Sequence, residues 1–141
     1  MKFAAVTLSL LPVIFALTTS YDTAYDNKGQ SLATVACSDG SNGLLTKNYT
    51  TFGSLPSFPF IGGAPPIAGW NSASCGTCWN LTYTAQNVSK TITVLGIDVA
   101  TPDSFNIAKA ALDALTGNQA QQLGRVPVTA VQVNTTFCGL K

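Results

Sequence analysis

The chain has 141 residues, 46% of them hydrophobic and only 9% charged, a balance that suits one folded domain and excludes a disordered chain. It contains no histidine and no glutamate, which rules out a Ser-His-Asp triad, a Cys-His dyad, His-ligated zinc and any Glu-based acid/base pair. Without Lys2, six Lys/Arg face six Asp; zero net charge and no basic cluster leave nucleic acid and anionic membranes no electrostatic handle.

Lys2 opens an apolar run over residues 3–17, broken by Thr7, Ser9 and Pro12 and followed by Thr18, Thr19 and Ser20. A basic start, a short apolar core and a small-residue exit describe a secretory signal peptide. The run falls short of the roughly 20 residues that span a bilayer, and no later segment is apolar enough to insert. The expected boundaries are a signal peptide over 1–18, cleaved between Ala16 and Ser20 and best after Thr18, and one domain over 19–141.

Beyond the leader, short β-rich segments alternate with Gly, Pro, Asn and Ser clusters. Residues 32–36 read as a strand ending at Cys37, and Asp39-Gly40-Ser41-Asn42-Gly43 reads as a turn. Residues 52–68, with four prolines and three glycines, read as a loop that wraps the surface. Residues 79–84 and 91–98 read as two strands joined by a turn at Asn87, and residues 127–135 as a last strand.

Ile107, Ala108, Ala111, Leu112 and Leu115 form a stripe at helical spacing, stopped by Gly117 and capped by Asn106 or Ser104. A second short helix is expected around Gln119 to Gln122. A mainly β chain with one or two short helices predicts a small closed β-barrel.

Cys37, Cys75, Cys78 and Cys138 are an even set behind a signal peptide, which predicts two disulfides in any of three pairings. Cys75-Gly76-Thr77-Cys78 lacks the second close pair of a four-cysteine zinc site and the βαβ setting of a redox motif, so no metal or cofactor is expected. Asn48, Asn80, Asn87 and Asn134 head Asn-x-Ser/Thr sequons and are candidate N-glycosylation sites; Asn87, in a polar turn, is the best placed.

Several stretches, taken in order, resemble the cerato-platanin family of secreted fungal proteins. They include Val35-Ala36-Cys37-Ser38-Asp39-Gly40, Gly53-Ser54-Leu55-Pro56-Ser57-Phe58-Pro59, Ala68-Gly69-Trp70-Asn71-Ser72 and Cys75-Gly76-Thr77-Cys78-Trp79. Tyr21-Asp22, Ile61-Gly62-Gly63, Gly96-Ile97-Asp98, Phe105-Asn106, Leu123-Gly124-Arg125-Val126 and Cys138 complete the set, which covers the chain from Tyr21 to its end. The resemblance implies a double-psi β-barrel similar to the first domain of expansins, with pairings Cys37–Cys75 and Cys78–Cys138. It also implies a secreted, wall-associated protein of the fungal cell surface that binds chitin or N-acetylglucosamine oligomers without catalysis, with some wall loosening, and that plants perceive as an elicitor. Candidate partners are those oligomers, other wall polysaccharides and a host surface receptor, for a monomer open to self-association.

By the resemblance, Asp98, at the end of an apolar strand, falls on the family's sugar-groove aspartate. Its carboxylate suits hydrogen bonds from sugar hydroxyls or an N-acetyl N–H. Asn106, Tyr21 and Asp39 are the other candidate carbohydrate contacts, while Trp79 reads as core and Trp70 as either core or sugar platform. No catalytic residue is assigned. A glycosidase needs a second carboxylate near Asp98, for which Asp39, Asp103 and Asp113 are the candidates, Asp103 the nearest in sequence. The two alternatives are a weak polysaccharide hydrolase and a surface-active, self-assembling wall protein.

Overall fold

The computed structural model describes residues 17–141, so the expected leader lies outside the described residues except for Leu17 and Thr18. Six strands run β1 (Leu17–Tyr21), β2 (Ile61–Ala64), β3 (Cys78–Ala85), β4 (Val88–Val99), β5 (Ser104–Ile107) and β6 (Arg125–Val133). They close into a barrel in the order β1-β5-β2-β4-β3-β6. The β1/β5 and β2/β4 pairs are parallel and the other four antiparallel. The barrel expected from the resemblance is therefore present, with both disulfides paired as implied: Cys37–Cys75 and Cys78–Cys138.

The strands of the longest hairpin follow from their residues. β4 is rich in β-branched side chains, β3 carries Trp79, Thr82, Tyr83 and Thr84, and the two pair from Cys78↔Leu95 out to Ala85↔Val88. Gln86 and Asn87 turn the chain with φ of 50° and 62°, the positive values that a two-residue hairpin turn needs. Leu81, Ile92, Val94, Phe105 and Ile107 point into the barrel and are buried, while Leu95 and Ile97 are fully buried on the opposite face of β4.

Helix α1 (Lys109–Thr116) covers one side of the barrel, burying Ala111, Leu112 and Leu115; each leucine contributes about 2 kcal/mol by leaving water. Gly117, at φ 68°, ends it, and α2 (Ala120–Leu123) follows. The expected caps are corrected. Ser104, Asn106 and Ile107 all belong to β5, and the helix start is capped from a distant segment by Asp26, whose carboxylate accepts from Lys109 N–H at 2.8 Å and Ala110 N–H at 2.9 Å.

Two other expectations are corrected. Residues 32–36 form no strand: Leu32–Thr34 is a 3-10 turn whose start is capped by Ser31 Oγ, which competes with extended pairing. Residues 52–68 are not simply a surface loop, because they contain β2, all four of whose residues are buried between β4 and β5. Gly62 and Gly63 make that possible. A Cβ on Gly62 would lie 2.2 Å from Asn106 O, and one on Gly63 2.4 Å from Val99 O, so only glycine fits between the flanking strands. Among the described residues no helix is long and apolar enough to cross a membrane.

Candidate functional site

Strand register brings five residues into one row across the outside of the barrel. Asp98 of β4 pairs with Gly63 of β2, Gly63 with Asn106 of β5, Asn106 with Ser20 of β1, and Ser20 with Arg125 of β6. Directly paired residues share a face of the sheet. The chain neighbours Phe105, Thr19 and Val126 are buried in the barrel, so the row itself lies on the outer face.

Over the Asn106–Ser20–Arg125 half of this row the surface is hollowed into an open depression of about 380 Å³, within the size range of small-ligand sites. Asn106, Ser20 and Arg125 form its polar side, and Val99, Ala100 and Thr101 its other wall. Ser20 Oγ donates to Asn106 Oδ1 at 3.1 Å, which fixes the amide and leaves its NH2 pointing away from that bond.

Asp98 stands at the edge, not in the lining. Its Oδ1 accepts from Ala36 N–H at 3.0 Å and Val99 N–H at 2.8 Å, and its Oδ2 accepts from Tyr25 O–H at 3.1 Å. A carboxylate has about four acceptor positions, so three are already used within the chain. Burial, reinforced by the Asp98 and Asp22 carboxylates, drives the Tyr25 phenol well above its ordinary pKa and keeps it a neutral donor.

The remaining expected contacts are dispersed. Tyr21 lies half-buried and packed against the core, two residues along β1 from buried Thr19 and thus on the opposite face from Ser20. Asp39 belongs to a different patch, where the Trp70 indole Nε1–H donates to its Oδ1 at 2.6 Å and holds that carboxyl below the usual carboxylate range. Gly40, at φ 84°, lets the two loops close: a Cβ there would sit 2.7 Å from Asn71 Oδ1. Trp70 remains 63% exposed, so it is surface and not core. Trp79 is the packing tryptophan, edge-on to Phe105 at 5.6 Å.

Of the carboxylates weighed as partners for Asp98, Asp113 is held by Lys109 at 2.8 Å and Ala120 N–H at 3.0 Å, and Asp103 lies exposed before β5. Asp22, within the matching pair Tyr21-Asp22, is a further carboxylate beside Tyr25 to which the sequence assigns no role. Ser20 is unmarked, and Arg125, though within the matching stretch Leu123-Gly124-Arg125-Val126, carries no expected site role, because only the register of β1 against β5 and β6 brings them to Asn106. Among the described residues no cluster of three Cys or Asp side chains could hold a metal.

Comparison with known proteins completes the description. A family profile described as Cerato-platanin matches residues 17–140. The chain is 56% identical over 122 residues to the allergen Asp f 15 homolog of Arthroderma benhamiae, covering 86% of itself and 58% of that relative, so it spans less than two thirds of that protein's length. Cerato-platanin 3 from M. perniciosa superposes with a TM-score of 0.82 at 50% identity, over 89% of this chain and 99% of that one. The solution structure of the fungal elicitor Cerato-Platanin superposes with a TM-score of 0.75 at 41% identity, over 86% and 96%. Profile, sequence identity and barrel agree: the chain belongs to the cerato-platanin family.

Proposed function

We propose that this is a secreted, non-catalytic carbohydrate-binding protein that takes chitin or N-acetylglucosamine oligomers along the row from Asp98 to Arg125 and acts as an elicitor in plant–fungus contact. The row carries the reading: an amide, a hydroxyl and a guanidinium stand side by side on adjacent strands around an open depression, with a carboxylate at its edge. Such groups match sugar hydroxyls and an acetamido group. Binding is weak, because each displaced water already made hydrogen bonds of its own. Secretion fits the apolar leader and two disulfides, and the elicitor role fits the relative that is named a fungal elicitor. Asp98, with three internal hydrogen bonds, works as an anchor rather than as an acid.

The test is a two-dimensional amide NMR titration of the mature protein with chitin tetramer and with cellotetraose. Shifts clustered at Ser20, Asn106 and Val99 with chitin, reduced in Asn106→Ala, are expected. No shift with either sugar at millimolar ligand would sink the carbohydrate reading.

A second reading, a surface-active wall protein, draws on Phe137, which is 71% exposed beside Phe58 and Phe60 around a separate hollow. Surface tension against concentration separates the two: Phe137→Ser abolishes a film and leaves sugar binding intact.

A further inference from the structure

The depression holds one charged side chain, Arg125, and no carboxylate in its lining. Arg125 is the only arginine of the chain and has no acidic partner within ion-pair distance among the described residues. Its setting is built. The Nη1 group donates to Thr18 Oγ1 at 2.9 Å and to Ser104 Oγ. Both hydroxyls are fixed as acceptors, because Thr18 Oγ1–H donates to Ser104 Oγ at 3.0 Å and Ser104 Oγ–H donates to Phe105 O at 3.0 Å. Ser104 is itself only 4% exposed, so this end of the guanidinium rests on an ordered, buried group.

The donor accounting then points outward. A guanidinium has five N–H donors, and the two on Nη1 face the two hydroxyls. The Nε–H and Nη2 edge has no hydrogen-bond partner among the described residues. That edge offers two parallel donors and is the one a carboxylate grips side-on. Lysine, a point charge, would not supply it. Asp98 stands at the far end of the row, with β2, β5 and β1 between it and Arg125, and three of its acceptor positions are taken by internal donors. It therefore leaves the guanidinium uncompensated, and an incoming anion meets a free positive charge.

The geometry points to an acidic-sugar subsite at the Arg125 end of the groove: the protein binds a uronic-acid residue of a glycan there, carboxylate to guanidinium, with Asn106 and Ser20 meeting the hydroxyls. This rests on the carbohydrate reading of the groove and narrows it to a glycan that carries carboxylates.

The experiment titrates the mature protein with tetragalacturonate, with its fully methyl-esterified form, and with chitin tetramer. The ester keeps the ring and removes the charge. The expected result is that the acid binds about tenfold more tightly than the ester, the scale of one added charge-assisted pair. This preference shrinks as salt rises, and it is lost in Arg125→Gln and reduced in Arg125→Lys. Equal affinity for acid and ester in the unaltered protein overturns the subsite, whatever the variants do to folding. Chitin binding with no acid preference leaves the groove reading standing and removes this inference alone. Acid preference without chitin binding supports the subsite and removes chitin as ligand. No binding by any of the three overturns both.

Discussion

The Tyr25 hydroxyl donates to Asp98 Oδ2 at 3.1 Å, and the same carboxylate receives the Ala36 and Val99 amides through Oδ1. One side chain thus ties the 3-10 turn Thr23–Asp26, the segment before Cys37 and the end of β4 together. This makes Asp98 a structural keystone beside the groove. Asp98→Ala leaves two amides and a phenol without their acceptor, and an expected loss of about 3 kcal/mol in urea denaturation follows. A sugar-binding defect in that variant therefore reads partly as unfolding, and Asn106→Ala is the cleaner probe.

Tyr25 gives a pH signature. Its pKa is raised, so the folded state holds the phenolic proton more tightly than the unfolded state, whose tyrosine titrates near 10. The stabilisation is complete below pH 10 and falls away as pH rises from there through the folded-state pKa. Thermal melts between pH 9 and 12 are expected to drop more steeply for the native protein than for Tyr25→Phe. Parallel curves would show that the phenol is not held neutral by its surroundings.

Helix α1 has no cap of its own: Ala108 precedes it and offers no side-chain acceptor. Asp26 serves instead, both oxygens on the first two helical amides, with its charge at the positive end of the helix dipole. Asp26→Ala is expected to cost about 1–2 kcal/mol, and Asp26→Asn less than half of that because the amide oxygen still accepts. Chemical denaturation of the two variants measures the difference.

The legible parts of the chain are those with a local signal. The β3/β4 hairpin is marked by strands of β-branched and aromatic residues around Asn87, and α1 by its apolar stripe and Gly117. β2 carries no strand pattern of its own. Ile61–Ala64 is buried on both faces, two of its four residues are glycines, and prolines flank it, so it looks like a loop until the flanking strands are seen. Asp39-to-Gly43 reads correctly as a turn, yet its meeting with Trp70 is a contact between loops 31 residues apart that no periodicity encodes. The site behaves likewise. Asn106 and Asp98 are reachable through family resemblance, whereas Ser20 and Arg125 join them only through strand register. Ser20 is hidden further because β1 starts at Leu17, the end of the apolar run over residues 3–17.

That overlap bears on processing. Leu17 pairs with Val128 and Thr18 with both Ser104 and Pro127, while Thr18 N–H donates to Asp103 O at 3.1 Å. Cleavage after Thr18 would delete this end of β1 and the hydroxyl that supports Arg125. N-terminal sequencing of the secreted protein is expected to begin at Leu17, with Ala16 the last leader residue. A mature chain starting at Thr19 would contradict this and would leave Arg125 with Ser104 as its only support.

The four sequons are not equivalent in the folded chain. Asn87 is exposed at the tip of a hairpin, with φ 62° and its side chain clear of any intramolecular bond in the described residues. Asn80 sits mid-strand in β3, half-buried, its Oδ1 accepting from Thr93 Oγ1 at 2.7 Å while β4 and β6 pair on either side. A glycan on Asn80 would displace that bond and stand over the sheet, whereas one on Asn87 projects into water. Glycopeptide mass spectrometry of the protein secreted from a fungal host is expected to find Asn87 occupied and Asn80 bare. Asn87→Gln then removes most of the glycan mass and lowers the melting temperature by no more than a few degrees, because a turn glutamine at positive φ costs only about 1 kcal/mol. Occupancy at Asn80 in folded protein would mean that glycosylation precedes β3 pairing and overrides the Thr93 bond.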